Sequence, residues 1–245
     1  MKSMANDPTK LFATRADRYP ESDESDIAQG AIRTALASIP VFGGPITEVL
    51  SLVLAPAVAR RRDEWFKELA EALDHVEANV EGFKVEDLAQ NEAFISATIQ
   101  ATRIAVGTHQ KEKREYLRNT ILHVAEGDAP DEEQQQIFLR YLEDFTATHV
   151  KLLDFFAHAS QILEEKGVRI EGNMTTYRRA VEQCLYPRWR HEFLRQVIVD
   201  LRIRGLSAVQ DLDDNFFPNS PAVTGYGRAF LNFVLAPIQS DSAEV

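Results

Sequence analysis

Residues Asp63–Val80, DEWFKELAEALDHVEANV, decide the fold class of this chain. Apolar side chains recur here at intervals of three and four residues, which is the pattern of an amphipathic helix with one buried face. A helix of this kind cannot bury that face alone, so the stretch predicts a helical bundle. Gly82 is expected to end the helix. The apolar positions are Trp65, Phe66, Leu69, Leu73, Val76 and Val80.

Two more amphipathic stretches follow and complete the predicted bundle. From Asn91, a good N-cap, to Ala125, heptad-like spacing predicts one helix of roughly 50 Å with a bend near Gly107. Asp131 is expected to cap a third helix, whose apolar face continues to Phe156. With the preceding apolar segment as a fourth element, these helices predict an antiparallel helical bundle over residues 30–160.

The segment Leu36–Ala59, LASIPVFGGPITEVLSLVLAPAVA, carries one charge in 24 residues. That length reaches the roughly 20 residues of a membrane span, but Pro40, Pro45 and Pro56 predict that no straight helix runs through it. Packing into the core is the favoured interpretation, and insertion into a bilayer is the alternative. The residues of this core or membrane segment are Ile39, Phe42, Val49, Leu52, Val53 and Leu54.

Three arginines, Arg60, Arg61 and Arg62, follow the apolar segment directly and form a basic edge. In the core interpretation they border the buried element. In the membrane interpretation they meet anionic headgroups.

The composition changes near Ser160, where we expect a linker over residues 161–172 and then a small winged-helix-like α+β module over 173–238. This expectation depends on the order of elements alone. Gly205 is expected to stop its second helix, and Thr224 to cap its last. The expected elements are helices 174–185 and 189–204, strands 206–209 and 222–223, and a helix over 226–235.

Both ends of the chain are expected to be tails. Residues 1–29 contain the run PESDESD and no apolar stretch, which predicts a disordered acidic tail and argues against a secretory signal. Residues 239–245 form a short C-terminal tail. With a single cysteine and no disulfide framework, we expect a cytoplasmic protein that is peripheral to the membrane if the apolar segment inserts.

A row of arginines spaced seven residues apart, Arg188, Arg195 and Arg202, lies on one face of the predicted second helix of the module. Such a row can meet phosphates of a nucleic acid or dock on an acidic partner surface. The net charge of −11 opposes binding to a polyanion, so nucleic acid is the less favoured partner.

The sequence predicts no catalytic residue, metal site or cofactor. Cys184 has no nearby base and is expected to be a small buried hydrophobe. His109 and His149 lie on apolar stripes and are expected to be hydrogen-bonded core histidines. No spacing of a metal-binding bundle or of a common nucleophile motif occurs in the chain.

The chain resembles a widespread group of bacterial proteins of uncharacterised function across most of residues 36–235. This resemblance implies a bacterial source and a helical fold, and it carries no catalytic residues. The matching stretches are Ile39–Pro45 (IPVFGGP), Arg61–Trp65 (RRDEW), Glu81–Phe83 (EGF), Asn91–Phe94 (NEAF), His109–Lys113 (HQKEK), Leu117–Asn119 (LRN), Asp144–Thr146 (DFT) and Gly227–Leu231 (GRAFL).

A looser likeness is to HeLo-type effectors, in which an apolar N-terminal element precedes a helical bundle and permeabilises membranes. The acidic tail departs from that pattern. The function expected first is therefore a non-enzymatic interaction protein that acts through its bundle on a protein partner, on itself, or as a membrane-active effector. The alternative is a winged-helix regulator that binds nucleic acid.

Overall fold

The computed structural model describes residues 45–168, 175–185, 191–217 and 222–236. The chain divides into two compact units, with the division between Asp128 and Ala129. Both units are mainly helical, which confirms the expected fold class at that level. The acidic tail, the C-terminal tail and residues 169–172 of the expected linker lie outside the described residues.

The described part of the N-terminal unit, from residue 45 onward, contains three helices and a 3₁₀ turn at Val85–Gln90. Helix α1 packs against both other helices, and α2 packs against α3. The core of the unit lies where the three helices meet, because each presents its apolar stripe there. The helices are α1 (Pro45–Asn79), α2 (Glu92–Gly107) and α3 (Lys111–Glu126).

Helix α1 runs without interruption through Pro56, so the expectation that a proline breaks this segment is wrong at Pro56. Pro45 is the first residue of the helix, and Pro40 lies outside the described residues. Proline has no N–H, so one hydrogen bond to the carbonyl of Leu52 is lost. Leu52 and Pro56 are themselves exposed, and water can therefore bind the freed carbonyl oxygen. The helix ends at Asn79, and Gly82 lies in the following turn with a φ of +82°.

The stretch 91–125 forms two helices rather than one bent helix. Thr108 takes an extended conformation after Gly107, and α3 begins only at Lys111. Both helices present apolar faces in compatible register, so the spacing alone did not reveal the break. His109 lies exposed in this connection, so the expectation of a core histidine at that position is wrong.

Among its described residues, the C-terminal unit contains five helices and a pair of two-residue strands. Helix α5 packs against α6, α7 and α8 and therefore organises the core of this unit. The elements are α4 (Glu132–Asp144), α5 (Ala147–Glu165), β1 (Thr175–Thr176), α6 (Tyr177–Cys184), α7 (His191–Ile203), β2 (Asn215–Phe216) and α8 (Gly225–Val234).

The third predicted bundle helix is also divided. Phe145 is extended and ends α4, and Thr146 is the N-cap of α5, where the ring of His149 accepts a hydrogen bond from the Thr146 backbone N–H at 3.2 Å. Neither glycine nor proline marks this break. Helices α4 and α5 belong to the C-terminal unit, so the division of the chain falls earlier than the expected linker at 161–172.

The strands differ from those of the expected wing. Strand β1 takes the place of the first residues of the helix expected over 174–185, and it pairs antiparallel with β2, with Thr175 opposite Phe216. The two stretches expected as wing strands share one bridge, between Ser207 and Val223. The order helix, helix, helix is present from α6 to α8, and the winged-helix assignment stays a prediction.

Several helix ends are confirmed. Asn91 Oδ1 accepts the N–H of Phe94 at 3.0 Å, and Asp131 Oδ1 accepts the N–H of Gln134 at 3.0 Å. Gly205 has a φ of +73° after α7, as expected for a glycine that stops a helix. These caps satisfy N–H groups that the first turn of a helix leaves without a partner.

Thr224 caps α8 and accepts the N–H of Gly227 at 2.9 Å. Gly227 itself lies against the backbone of Leu206, and an added Cβ would overlap that carbonyl oxygen and lie 2.7 Å from Val223 Cγ1. Only glycine therefore allows α8 to approach the 206–207 backbone this closely.

We expect Gly227→Ala to lower the free energy of unfolding by about 2–3 kcal/mol, because the methyl group forces backbone and side chain apart. Gly225→Ala is the matched control in the same helix, since nothing lies within 4 Å of a Cβ there. Urea unfolding of both variants checks the prediction, and equal stability of the two would contradict it.

Candidate functional site: the apolar end of helix α1

Helix α1 begins with an apolar end, residues 45–59, that contains Glu48 as its single charge. Leu52 is 72% exposed, Val53 66% and Leu54 42%. From residue 52 onward, the first buried side chain of α1 is that of Ala59. The favoured core interpretation therefore fails for Leu52, Val53 and Leu54.

The exposed side chains point in several directions around the helix. Successive residues of an α-helix are rotated by about 100°, so three consecutive apolar residues cover more than half of its circumference. A helix that is apolar on more than one side is ordinarily surrounded by other apolar material. Within the part of the chain that the structure describes, however, no helix is long and apolar enough to cross a membrane.

The rest of α1 is anchored in its unit. Trp65 is completely buried, and its indole N–H donates to Thr102 Oγ1 on α2 at 2.9 Å. Leu69, Leu73 and Val76 continue the buried stripe. The same rigid helix thus joins a packed core to an exposed apolar end.

The basic edge lies where these two parts of α1 meet. Arg60 pairs with Glu64 at 3.7 Å, and Arg62 pairs with Asp63 at 3.1 Å. The Arg60–Glu64 pair is exposed, and exposed ion pairs contribute little free energy, so Arg60 can exchange its partner at small cost. Arg61 is half-buried.

Arg114 on α3 fixes the helix just beyond the basic edge. Its guanidinium lies 3.3 Å from a Glu64 oxygen and 3.1 Å from a Glu68 oxygen, and its side chain is almost buried. A buried charge that lost these partners would be costly, so this contact holds the direction of α1 relative to α3.

The other predicted members of the segment cannot be placed in the same way. Ile39 and Phe42 lie outside the described residues. Val49 lies in α1, where the structure describes its backbone only.

An apolar groove of about 370 Å³ lies between α1 and α2. Ile99 in its wall is 67% exposed, and Thr98 Oγ1 is buried without a hydrogen-bond partner. Sequence analysis missed this groove, and the only signal for it is a second row of isoleucines beside the main apolar stripe. The lining residues are Phe66, Phe94, Ile95, Thr98, Ile99 and Thr102.

In the C-terminal unit, Arg195 of the predicted arginine row is engaged by the unit's own acids. Arg195 lies 2.7 Å from Asp213 and 3.4 Å from Asp211, and Arg178 lies 2.6 Å from Asp213. The Asp213 hydrogen bond raises the pKa of Arg195, and the Asp213 backbone N–H lowers the pKa of Asp211. Arg202 is exposed, and Arg188 lies outside the described residues.

Two buried groups of this unit agree with their predicted roles. His149 is buried, with Nε2 3.3 Å from Asp200 Oδ2, and desolvation lowers its pKa. Cys184 is buried, and desolvation raises the pKa of its thiol. Among the described residues, no three His, Cys, Asp or Glu side chains are grouped as metal ligands.

Comparisons with protein-family models, with curated protein sequences and with solved structures find no match to this chain. The apolar end of α1 is therefore judged on its own chemistry.

We expect Val53→Asp to change the free energy of unfolding by no more than about 0.5 kcal/mol, because the new carboxylate stays in water. Leu69→Asp places a carboxylate in the core and should cost several kcal/mol or prevent folding. Thermal unfolding followed by circular dichroism compares the two variants. Unfolding by Val53→Asp would show that residue 53 is buried after all.

Proposed function

We propose that this protein is a non-enzymatic interaction protein and that the apolar end of α1 inserts into anionic membrane surfaces. The observation that carries this proposal is the exposure of Leu52, Val53 and Leu54 directly before the basic edge. A membrane-active effector is the biological role that fits this surface.

The distribution of the apolar side chains favours a bilayer over a protein groove. A groove receives one stripe of a helix, with anchors three and four residues apart. Leu52, Val53 and Leu54 are consecutive, so a single groove would leave at least one of them in water. Lipid surrounds an inserted helix and can bury all three.

The length of the apolar end sets the depth of insertion. Fifteen residues of α-helix extend about 22 Å, whereas the hydrocarbon core of a bilayer is about 30 Å thick. The helix therefore enters one leaflet and part of the next without spanning the membrane. Arg60, Arg61 and Arg62 then reach the headgroup region, where anionic lipids favour them.

The net charge of −11 does not prevent this contact. Charges beyond about 8–10 Å are screened at physiological salt, so the local basic edge dominates at the headgroups. Each buried Leu or Val side chain adds about 1.5–3 kcal/mol to the binding free energy.

We expect Leu52→Asp to weaken binding to anionic liposomes more than about tenfold, since the buried leucine is lost and a charge must enter lipid. Ile203→Asp is the matched control, because Ile203 in α7 is also 72% exposed but lies outside the apolar end. Liposome flotation with phosphatidylserine vesicles measures the effect, and dye release from the same vesicles tests permeabilisation.

Equal loss of binding in the two variants would contradict the proposal. Failure of the wild-type chain to float at any salt concentration or pH would also contradict it. Concentration-dependent dimers that Leu52→Asp abolishes would identify self-association as the function of the apolar end instead.

The alternative function is a nucleic-acid binder that uses a winged-helix module over residues 173–238. Helices α6, α7 and α8 have the required order. The ion pairs of Arg195 with Asp211 and Asp213 weigh against this alternative, because a phosphate would have to displace two carboxylates. A guanidinium held by its own chain contributes little to a polyanion contact.

We therefore expect no salt-dependent gel shift of duplex DNA with the wild-type protein. Replacing Arg188, Arg195 and Arg202 together by Glu should lower the melting temperature of the protein, because a carboxylate at position 195 is repelled by Asp211 and Asp213. Arg202→Glu alone is the control. Two results together would establish nucleic-acid binding instead. The binding constant of the wild-type protein for DNA would fall with salt at a log–log slope near −0.9 per phosphate contact, and the triple variant would give no shift.

A further inference from the structure

We propose that the apolar groove between α1 and α2 binds one medium-chain fatty acid, with its alkyl chain along the groove and its carboxylate at Arg103. The groove is separate from the apolar end of α1, since Phe66 lies about 18 Å beyond Leu54 along the same helix. Fatty-acid binding here does not depend on insertion of the apolar end into membranes.

The dimensions of the groove suit a small molecule. Its volume of about 370 Å³ falls within the range of about 300–1,000 Å³ that small-molecule pockets have. Six residues line it, whereas each side of a stable protein interface has about 20–30 residues. Along α2 the lining extends from Phe94 to Thr102, a rise of about 12 Å. A space of this length between two neighbouring helices fits a single extended chain.

The side chains that line the groove present hydrocarbon to it. Four of the six are purely hydrocarbon, and the other two are Thr98 and Thr102. The Thr102 hydroxyl oxygen accepts the indole N–H of Trp65 at 2.9 Å, and the Thr98 hydroxyl oxygen is buried beneath the surface. A polar atom of a ligand would lose its hydrogen bonds to water in the groove, which is costly. An alkyl chain has no such atoms.

Helices α1 and α2 run antiparallel, which gives the groove a direction. In the connection before α2, the N–H of Val85 donates to the carboxylate of Glu77, near the end of α1, at 3.2 Å. Thr102, near the end of α2, contacts Trp65 in the middle of α1. The Thr102 end of the groove therefore points toward the start of α1 and its basic edge.

Cationic side chains lie at the Thr102 end of the groove. Arg103 is exposed and follows Ile99 by four residues, so it lies one helical turn farther along the same face of α2. Arg62 lies one turn before the groove on α1, but Asp63 balances its charge at 3.1 Å. An exposed guanidinium exchanges partners at small cost and can donate two parallel hydrogen bonds to a carboxylate. Arg103 is therefore the residue that favours an anionic head group.

The opposite end of the groove carries acids. Glu92 is exposed and lies two residues before Phe94. Because Trp65 is level with Thr102, equal rise along the two helices brings Asp74 level with the Phe94 end. A ligand carboxylate is repelled at this end and attracted at the other, which fixes the direction of the bound chain.

A series of fatty acids of increasing length tests the alkyl contact. An extended chain advances about 1.3 Å per C–C bond, so about nine bonds fill the groove. We expect the affinity measured by isothermal titration calorimetry to rise about two- to fourfold per methylene from hexanoate to decanoate and then to level off. A constant rise through tetradecanoate, or no binding of decanoate below its micelle concentration, would overturn the proposal.

Ile99→Asp tests where the ligand lies. Ile99 is 67% exposed, so the variant should fold while placing a carboxylate in the wall of the groove, and the affinity for decanoate should fall at least about tenfold. Ile137→Asp is the matched control, because Ile137 in α4 is also partly exposed but lies in the other unit. Equal losses in the two variants would overturn the proposal. Loss of decanoate binding by Leu52→Asp would also overturn it, in favour of the apolar end.

Thr98→Val tests the alkyl character of the groove without changing its shape. The variant should bind decanoate as the wild type does and melt at a higher temperature, because a methyl group replaces a buried hydroxyl that has no partner. Loss of binding in this folded variant would show that the ligand uses the hydroxyl, and would overturn a purely alkyl contact.

Arg103→Gln separates the head-group contact from the alkyl contact. It should weaken octanoate binding about fivefold or more and leave the binding of 1-octanol, which has the same chain without a charge, unchanged. Arg140→Gln in α4 is the control, since it removes one exposed positive charge elsewhere. Equal effects of Arg103→Gln on the two ligands would overturn the carboxylate contact.

The groove and the apolar end can fail separately, because decanoate binding is measured without vesicles. Decanoate binding that Ile99→Asp weakens, in a protein that floats with no liposome, would support the groove and reject the membrane function. Liposome flotation that Ile99→Asp weakens, with no binding of decanoate, would overturn the free fatty acid in favour of a lipid of the bilayer as the occupant.

Discussion

The complete burial of Trp65 is the contact on which the N-terminal unit depends. Its ring lies where α1 meets α2, and its indole N–H donates to Thr102, so this buried donor is satisfied. Six residues earlier, Ala59 is the first buried side chain of the same helix. A continuous helix transmits the orientation fixed at Trp65 to Leu52, and the side chains of Leu52, Val53 and Leu54 are therefore held in water rather than folded into the core.

The arginine–carboxylate contacts of the two units differ in their burial. In the N-terminal unit, Arg114 is nearly buried and held by Glu64 and Glu68. In the C-terminal unit, Arg178 and Arg195 share Asp213 at the surface. The first arrangement resists exchange because its charge is desolvated, whereas the second can exchange with solvent ions.

The helix ends were predictable from the sequence where a hydrogen bond or a backbone conformation of neighbouring residues sets them. Asn91, Asp131 and Thr224 cap helices because their side chains accept nearby backbone N–H groups, and Gly205 ends α7 because glycine tolerates positive φ. The break at Phe145 was not predictable, since Phe favours neither turns nor caps. It is stabilised by Phe145 stacking on His149 at 4.5 Å and by the aromatic contact with Phe230, which is distant in sequence.

By itself, the sequence determined the mainly helical composition, the caps, and the presence of an apolar segment followed by three arginines, because periodicity and local hydrogen bonding are properties of neighbouring residues. Only the tertiary structure decided that Leu52 is exposed while Leu69 is buried, although both are leucines in one helix. Burial depends on whether another element lies opposite. Helices α2 and α3 extend along α1 past Leu69, whereas the described residues place no side chain over Leu52 that would bury it.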